Sequence, residues 1–400
     1  MTRLRSPRTP VIQCPRARRA RVDKPRETEG IVRNRLLRTA SAAGLLLLLG
    51  ACGLSDPTQS ALDPQGPYAN EVNSLFVPVF WVAVAVFVVV EGGIVWISVR
   101  YRHRKGQERM PAQVHGNTKL EIGWTIAPAL VLAGVMIPTV ATIWDLARTP
   151  PANALNVKVE GFQWWWGFEY TDDDMRRQYG DRDAIRVADT LVIPEDRPVY
   201  LSLVSRGGKV TGDTPEANDY AVIHSFWVPE ITSGKQDVVP GRTNTIYMQA
   251  SEPGIYEGQC AEFCGLQHGR MRVEVMALSA DDWERWVVNQ QHAASTPTEE
   301  LARRGMDLFM GQLSGGRGSC VNCHAVGGTD ATSDAAPDLT HFADPSHTCF
   351  AGCNWRTTDR AALEAWLRDP GAVKFGAKMP DYQLTEDEID ALIAYLYSLE

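Results

Sequence analysis

Two uninterrupted apolar runs constrain this chain more than any other feature. Residues 75–99 (LFVPVFWVAVAVFVVVEGGIVWISV) and 122–146 (IGWTIAPALVLAGVMIPTVATIWDL) are each 25 residues long, above the ~20 that a helix needs to cross a bilayer core. Backbone groups in lipid must be satisfied within the segment, so both runs are expected to be membrane-spanning helices. They predict a transmembrane hairpin over 75–146 of a multidomain membrane protein. Between the runs, residues 100–119 hold six basic side chains and one acidic, whereas 53–74 hold three acidic and none basic. By the positive-inside rule the hairpin loop is cytoplasmic and both termini face the extracytoplasmic side. Everything after residue 146 is then exported, where disulfides persist.

Two glutamates bear on these runs. Glu91, beside Gly92 and Gly93, lies inside the first, and Glu121 stands at the cytoplasmic start of the second. A charge in hydrocarbon is costly unless it pairs or faces protein. Glu121 has the bland alternative of snorkelling to the interface, and Glu91 that of bonding a partner helix.

Charge is divided unevenly along the chain. The first forty residues carry twelve Arg or Lys and three Asp or Glu, a balance of +9, which leaves −17 for the remainder of a chain with net charge −8. No basic patch is left in the folded part, which argues against a nucleic-acid partner. The head itself (RNRLLRTASAAGLLLLLGAC) has a positive region, an apolar run and small residues before Cys52, the layout of a bacterial secretory signal. Leu49, Gly50, Ala51 and Cys52 also resemble a lipobox, so 1–51 is expected to be a lipoprotein-like signal segment with Cys52 lipidated. An ordinary signal with an incidental cysteine is the alternative. The first 30 residues exceed what such a signal needs and point to a translation start further in. Residues 52–74 then form an exported N-terminal segment.

From 153 to 285 the pattern becomes short and alternating. NALNVKVEGFQWWW, DTLVIPEDRPVYLSLVS, YAVIHSFWVP, GRTNTIYMQAS and RMRVEVMAL read as β-strands separated by Pro and Gly turns, the spacing of an antiparallel β-sandwich. Between the last two strands lies GQCAEFCGLQHGRM, with the spacing Cys260-x3-Cys264-x3-His268-x2-Met271, and His224 sits at the end of a strand. Thiolates, imidazoles and a thioether select copper over magnesium or calcium. A structural zinc site has no use for Met271, and a Cys260–Cys264 disulfide leaves the histidines and the methionine unexplained. A mononuclear blue-copper site takes one cysteine, so the second suggests a second metal, both thiolates bridging two coppers.

The hairpin together with GFQWWWGFEYTD, HSFWVPE, PGRTNTI and GQCAEFCGLQHGRM resembles subunit II of the haem-copper cytochrome c oxidases over about residues 70–290. The resemblance implies a cupredoxin-like sandwich holding a dinuclear copper centre, CuA, with ligands His224, Cys260, the backbone carbonyl of Glu262, Cys264, His268 and Met271. It further implies that the Glu262 side chain faces a magnesium site at the border with subunit I. Trp164 would receive electrons from cytochrome c, and Glu121, in LEIGWT, would stand at the mouth of a proton channel shared with subunit I. Taken singly, Trp164, Trp165, Trp166 and Phe168 also suit a sandwich core. One departure concerns the acidic residue that family members often place three positions before the first copper histidine, which is Ala221 here; the nearest acid is Asp219.

A polar linker (286–298) leads to a last domain over 299–400. It contains Cys320-Val-Asn-Cys323-His324, the spacing at which two cysteines take the vinyl groups of a c-type haem and the adjacent imidazole reaches its iron. Residues 299–312 and 385–399 have helical periodicity around a loop-rich middle. The segment resembles an all-α class I cytochrome c. That resemblance makes Met379 the second axial ligand, a pairing that raises the haem potential. It also makes Gly305 with Phe309, and Leu392 with Tyr395, the crossing of the first and last helices, and Pro337 and Leu339 the segment that orients the haem histidine. Met306 and Met310 look like packing, and His341 and His347 are weaker rivals as ligands. Cys349 and Cys353, exported and four apart, are expected to form a disulfide that staples a loop.

Together these features resemble the subunit of a cytochrome c oxidase in which a cytochrome c is fused to subunit II. The resemblance implies electrons passing from an upstream cytochrome or a quinol:cytochrome c reductase to haem c, then to CuA and the haem of subunit I, where oxygen reduction drives proton translocation. By charge the two exported domains should dock poorly, since 153–285 holds 22 acidic and 13 basic side chains and 299–400 holds 16 and 8; a tether compensates by raising effective concentration. Three rivals stand beside this reading. A free membrane-anchored electron carrier needs no Glu121 at a helix start, a nitrous oxide reductase lacks the hairpin, and a copper-delivery module needs no covalent haem.

Overall fold

A computed structural model describes residues 58–400 apart from 104–105, 107–109, 111–112, 114, 148, 173–183, 208–220, 312 and 314–315. The signal-like head, Cys52 and Asp219 lie outside the described residues.

The apolar runs form helices α1 (Pro67–Arg100) and α2 (Thr118–Leu146). Their large apolar side chains point outward, Trp81, Phe87 and Trp96 on α1 and Trp124, Ile137 and Trp144 on α2. Exposed apolar surface on this scale marks a membrane or partner-protein face. Helix α1 begins eight residues before the apolar run, with Pro67 at its first turn, where a missing N–H costs nothing. This early start ties the hairpin to the sheet domain that follows: Tyr68 stacks on Tyr247 at 5.2 Å.

After the hairpin come two five-stranded sheets. One has the order β3-β2-β1-β5-β8, from β1 (Leu155–Phe162), β2 (Trp165–Tyr170), β3 (Arg186–Ala188), β5 (Val199–Ser205) and β8 (Asn244–Met248). The other has the order β4-β10-β9-β6-β7, from β4 (Thr190–Pro194), β6 (His224–Trp227), β7 (Gln236–Val238), β9 (Gly254–Cys260) and β10 (Arg272–Leu278). Two pairings, β1 with β5 and β4 with β10, are parallel and the others antiparallel, so the sandwich is mixed. Period-two alternation buries Leu155, Val157 and Val159 between half-exposed neighbours on β1.

Three sequence expectations are corrected here. The tryptophan run is a hairpin, not the end of one strand: β1 and β2 pair antiparallel across Gln163 and Trp164, and Trp164, Trp166 and Phe168 are buried with the sandwich core while Trp165 is half-buried. Strand β9 stands before the cysteine loop, a segment whose two glycines hid its alternation. The sandwich ends in a helix, α3 (Ala280–Gln291), which occupies the first six positions of the expected linker and buries Trp286 against Tyr170. Ser279 caps it by accepting the Asp282 amide.

In the last domain α4 (Glu300–Met310) crosses α6 (Glu386–Leu396), with Phe309 and Tyr395 rings 5.5 Å apart. The crossing needs a glycine, because a Cβ at Gly305 would sit 1.9 Å from the Ala391 carbonyl oxygen. A third helix, α5 (Arg360–Arg368), occupies the middle that reads as loop; its nine residues start at an Asp359 cap and bury Leu363 and Leu367, four apart on one face. Arg317 clamps the start of α6 through Glu388, both nitrogen–oxygen distances being 2.9 Å.

Candidate metal centres at the domain boundary

The cysteine loop is held at its neck by the backbone. Cys260 ends β9, and its amide donates to the Met271 carbonyl at 2.9 Å, while the Ala261 amide donates to Ser225 at 2.9 Å beside His224. This brings distant residues together. Cys260 Sγ lies 3.7 Å from Cys264 Sγ, 3.9 Å from His224 Nδ1 and 3.2 Å from the Glu262 carbonyl oxygen. Cys264 Sγ lies 3.7 Å from His268 Nδ1 and 3.8 Å from Met271 Sδ. All six expected copper donors therefore face one small volume. The hydrogen bond shared by the two thiols pulls Cys260 far below an ordinary thiol and holds Cys264 far above it.

The donor set fits a copper pair. Two sulfurs 3.7 Å apart match the span of tetrahedral metal–sulfur bonds of about 2.3 Å. Both thiols are buried among soft donors and have no water to solvate a lone thiolate. The Glu262 side chain points the other way, its carboxylate 3.7 Å from Lys235 Nζ.

The second centre is a cavity of about 760 Å³ lined by Cys320, Cys323, His324, Met379 and apolar side chains including Leu339 and Phe342. Both cysteines are free, and burial pushes the Cys320 thiol up to about 11. His324 Nδ1 lies 2.8 Å from the Pro337 carbonyl oxygen; a proton there leaves Nε2 as the ligating atom, and burial favours the neutral ring. Thiols, imidazole and thioether around one largely apolar cavity fit a covalent haem. Of the rivals, Met306 and Met310 pack on the domain core. His341 has both nitrogens on carbonyl oxygens, of Glu400 and His292. His347 does line the cavity, with Nδ1 3.0 Å from the Phe342 carbonyl oxygen.

The two centres share a wall. Trp164 and Trp165 line the haem cavity, as does Ala221, where a carboxylate would intrude on it. Trp164 is 5% exposed, and its indole Nε1 donates to the Cys264 carbonyl at 2.9 Å. Gln163 donates to the same oxygen at 2.8 Å.

Sequence reading missed the contacts that seat one domain on the other. Arg270 donates to the Val373 carbonyl and to Asn354, each at 2.9 Å, and Glu274 accepts from Arg356 at 2.7 Å and Thr348 at 2.6 Å. The Cys349–Cys353 disulfide loop lies in this interface, with Cys353 Sγ 3.3 Å from the Asp189 carbonyl oxygen. Isolated charged residues in strands and loops carry no signal for such pairing. In the hairpin, Glu121 Oε1 accepts the Asn117 amide at 3.3 Å, and Glu91 is exposed on α1.

Three family models match in chain order: cytochrome c oxidase subunit II, transmembrane domain, over 58–141; cytochrome c oxidase subunit II, periplasmic domain, over 155–278; and cytochrome c over 302–400. A cytochrome c oxidase subunit 2 of Alkalihalophilus pseudofirmus is 35% identical over 362 residues, 89% of this chain and 95% of the relative. Those of Bacillus sp. strain PS3 and Bacillus subtilis are 34% and 33% identical, covering 89% and 88% of this chain and 95% of each relative.

Proposed function

The chain belongs to the cytochrome c oxidase subunit II family and carries a cytochrome c domain at its C-terminal end; from that premise we propose that it takes in the electrons of a membrane terminal oxidase. When bound, haem and the copper pair each supply a one-electron carrier, loaded in the order haem c, copper, haem of subunit I. Cys320 and Cys323 would hold the haem covalently, with His324 and Met379 on its iron. His224, Cys260, the Glu262 carbonyl, Cys264, His268 and Met271 would hold the copper pair.

The chain's own contribution is position and rigidity. Ligands are drawn from strands β6 and β9 and a loop closed by backbone hydrogen bonds, so few groups can move when charge changes. The Pro337 carbonyl orients the His324 ring. One observation carries the reading: Trp164 lines the haem cavity and also donates to the carbonyl of Cys264, so a single side chain touches both centres.

The finer parts follow from the same reading. Residues 153–285 with the rest of α3 form the copper domain and 299–400 the haem domain, both extracytoplasmic. Residues 1–51 are the signal, with Cys52 lipidated. The Glu262 carboxylate borders magnesium at subunit I, and Glu121 opens a proton path for translocation. A cytochrome or a quinol:cytochrome c reductase is the donor.

Metal analysis of the purified protein should give two coppers and one iron per chain, with an electron-resonance signal of one unpaired electron shared by two copper nuclei. One copper, or zinc instead, sinks the dinuclear centre. An electron pulsed onto the haem should then appear at copper, and failure to do so sinks the path.

A further inference from the structure

Lys374 and Asp189 are opposite charges buried on either side of the domain boundary, 3% and 1% exposed. Lys374 belongs to the haem domain, between a single turn at Pro370–Val373 and Met379. Its Nζ donates to the Trp164 carbonyl of the copper domain at 2.7 Å and to the Ala351 carbonyl at 2.6 Å. Asp189, at the start of β4, accepts the Trp166 amide at 3.1 Å and, across the boundary, the Gly352 amide at 2.7 Å. Each charge thus grips backbone of the opposite domain. The approach is close: Gly352 has φ +75°, and a Cβ there would lie 2.7 Å from the Trp164 carbonyl oxygen and 2.9 Å from Lys374 Nζ.

A charge without solvent survives only when paired and fully hydrogen-bonded. Burial pulls Lys374 down to about 8, opposed by Asp189, and pushes Asp189 up to about 6, opposed by the Gly352 amide and Lys374. Near pH 7 both stay charged, attracting each other across the boundary without direct contact. Both line the haem cavity, but neither is among the expected metal donors of either centre. Their partners are instead the two backbone segments that set where the haem cavity meets Trp164.

We propose that Lys374 and Asp189 are positioning residues that lock the haem domain onto the backbone of Trp164, fixing one electron-transferring arrangement of the two domains. Met379, five residues after Lys374, is held by the same anchor, so haem pocket and copper loop are registered through Lys374, Trp164 and Cys264 in turn. The linker then limits how far the haem domain strays, and this pair sets where it sits. The inference rests on the proposed haem-to-copper path.

The test uses the full chain in its assembled oxidase, with Lys374→Met, Asp189→Asn, the double variant and Lys374→Arg. Each is read three ways: the rate at which an electron pulsed onto the haem reaches copper, hydrogen exchange at the Gly352 amide, and the potentials and spectra of both centres. Both single variants should slow transfer at least about tenfold, since displacements near 1 Å suffice for such losses. They should also deprotect Gly352 while leaving both spectra unchanged, and the loss of rate should exceed what the measured change in potentials, from a charge removed beside the haem cavity and Cys264, accounts for. Lys374→Arg should recover part of the rate, and the double variant should lose less than the two singles combined. Wild-type transfer in both singles overturns the proposal, as does slowing accompanied by a shifted copper or haem spectrum. If the unaltered enzyme passes no electron from haem to copper, the proposed path itself falls; loss of Gly352 protection is read separately and keeps the two failures apart.

Discussion

Trp164 and Cys264 are joined by a hydrogen bond from the indole Nε1 to the backbone carbonyl, 2.9 Å long, with the indole sealed between two domains. The bond ties a side chain in the haem cavity wall to the backbone of a candidate copper ligand. Packing and bonding are separable here, because Gln163 donates to the same carbonyl.

Trp164→Phe should therefore be mild for stability, losing about 1 kcal/mol for one neutral hydrogen bond. Trp164→Ala should cost about 3–5 kcal/mol through the void it leaves. Both should slow the haem-to-copper step more than they alter copper content. Thermal unfolding beside single-turnover kinetics separates the two effects, and an unchanged step in Trp164→Ala would remove this residue from the path.

Gly305→Ala tests the helix crossing. The added Cβ meets backbone, not a flexible side chain, at 1.9 Å from the Ala391 carbonyl oxygen. Overpacking of this kind costs about 1–3 kcal/mol or more. The melting transition followed in the haem absorption band should fall, while a transition followed at the copper centre should shift far less.

The two centres and the two crossing helices were legible because each uses a fixed spacing: four donors within twelve residues from Cys260 to Met271, a Cys-x-x-Cys-His run, and apolar positions at helical period around Gly305 and Leu392. The seating of one domain on the other was not. Net charge is a sum over whole domains, and by that sum the two should repel. The interface instead uses a few local pairs, Arg356 with Glu274, Arg206 with Asp334 at 3.1 Å, and Lys374 facing Asp189. Strand β9 was hidden for a related reason. Gly258 interrupts its pattern because a Cβ there would meet the Trp227 carbonyl oxygen at 2.5 Å, a requirement that exists only once the sheet has formed.

Glu121→Gln addresses the hairpin. Glu121 accepts the Asn117 amide at the start of α2, and glutamine can keep that bond while losing the titratable proton. A purely structural Glu121 predicts wild-type oxygen reduction in the variant. A proton-handling Glu121 predicts steady-state turnover slowed by up to about 10²-fold, with the haem-to-copper step intact. Equal turnover by wild type and variant would reduce the residue to a helix cap.

Met379→His asks whether the fused haem lies on the path. Met379 stands in the cavity wall with His324, and a thioether on iron favours the reduced state. Replacing it with imidazole should lower the potential by a fraction of the roughly 0.8 V range that axial ligands command. A lower potential favours the onward step to copper but makes the haem harder for its own donor to reduce. Turnover with a cytochrome donor should therefore slow, while turnover with a small artificial reductant that feeds copper directly should keep its rate, and the copper signal should not change. His347 also lines the cavity, so a haem spectrum that stays unchanged in the variant would assign the second axial position to His347. If the spectrum does show the ligand switch and both assays still run at wild-type rate, electrons bypass this haem, and the C-terminal domain has another purpose.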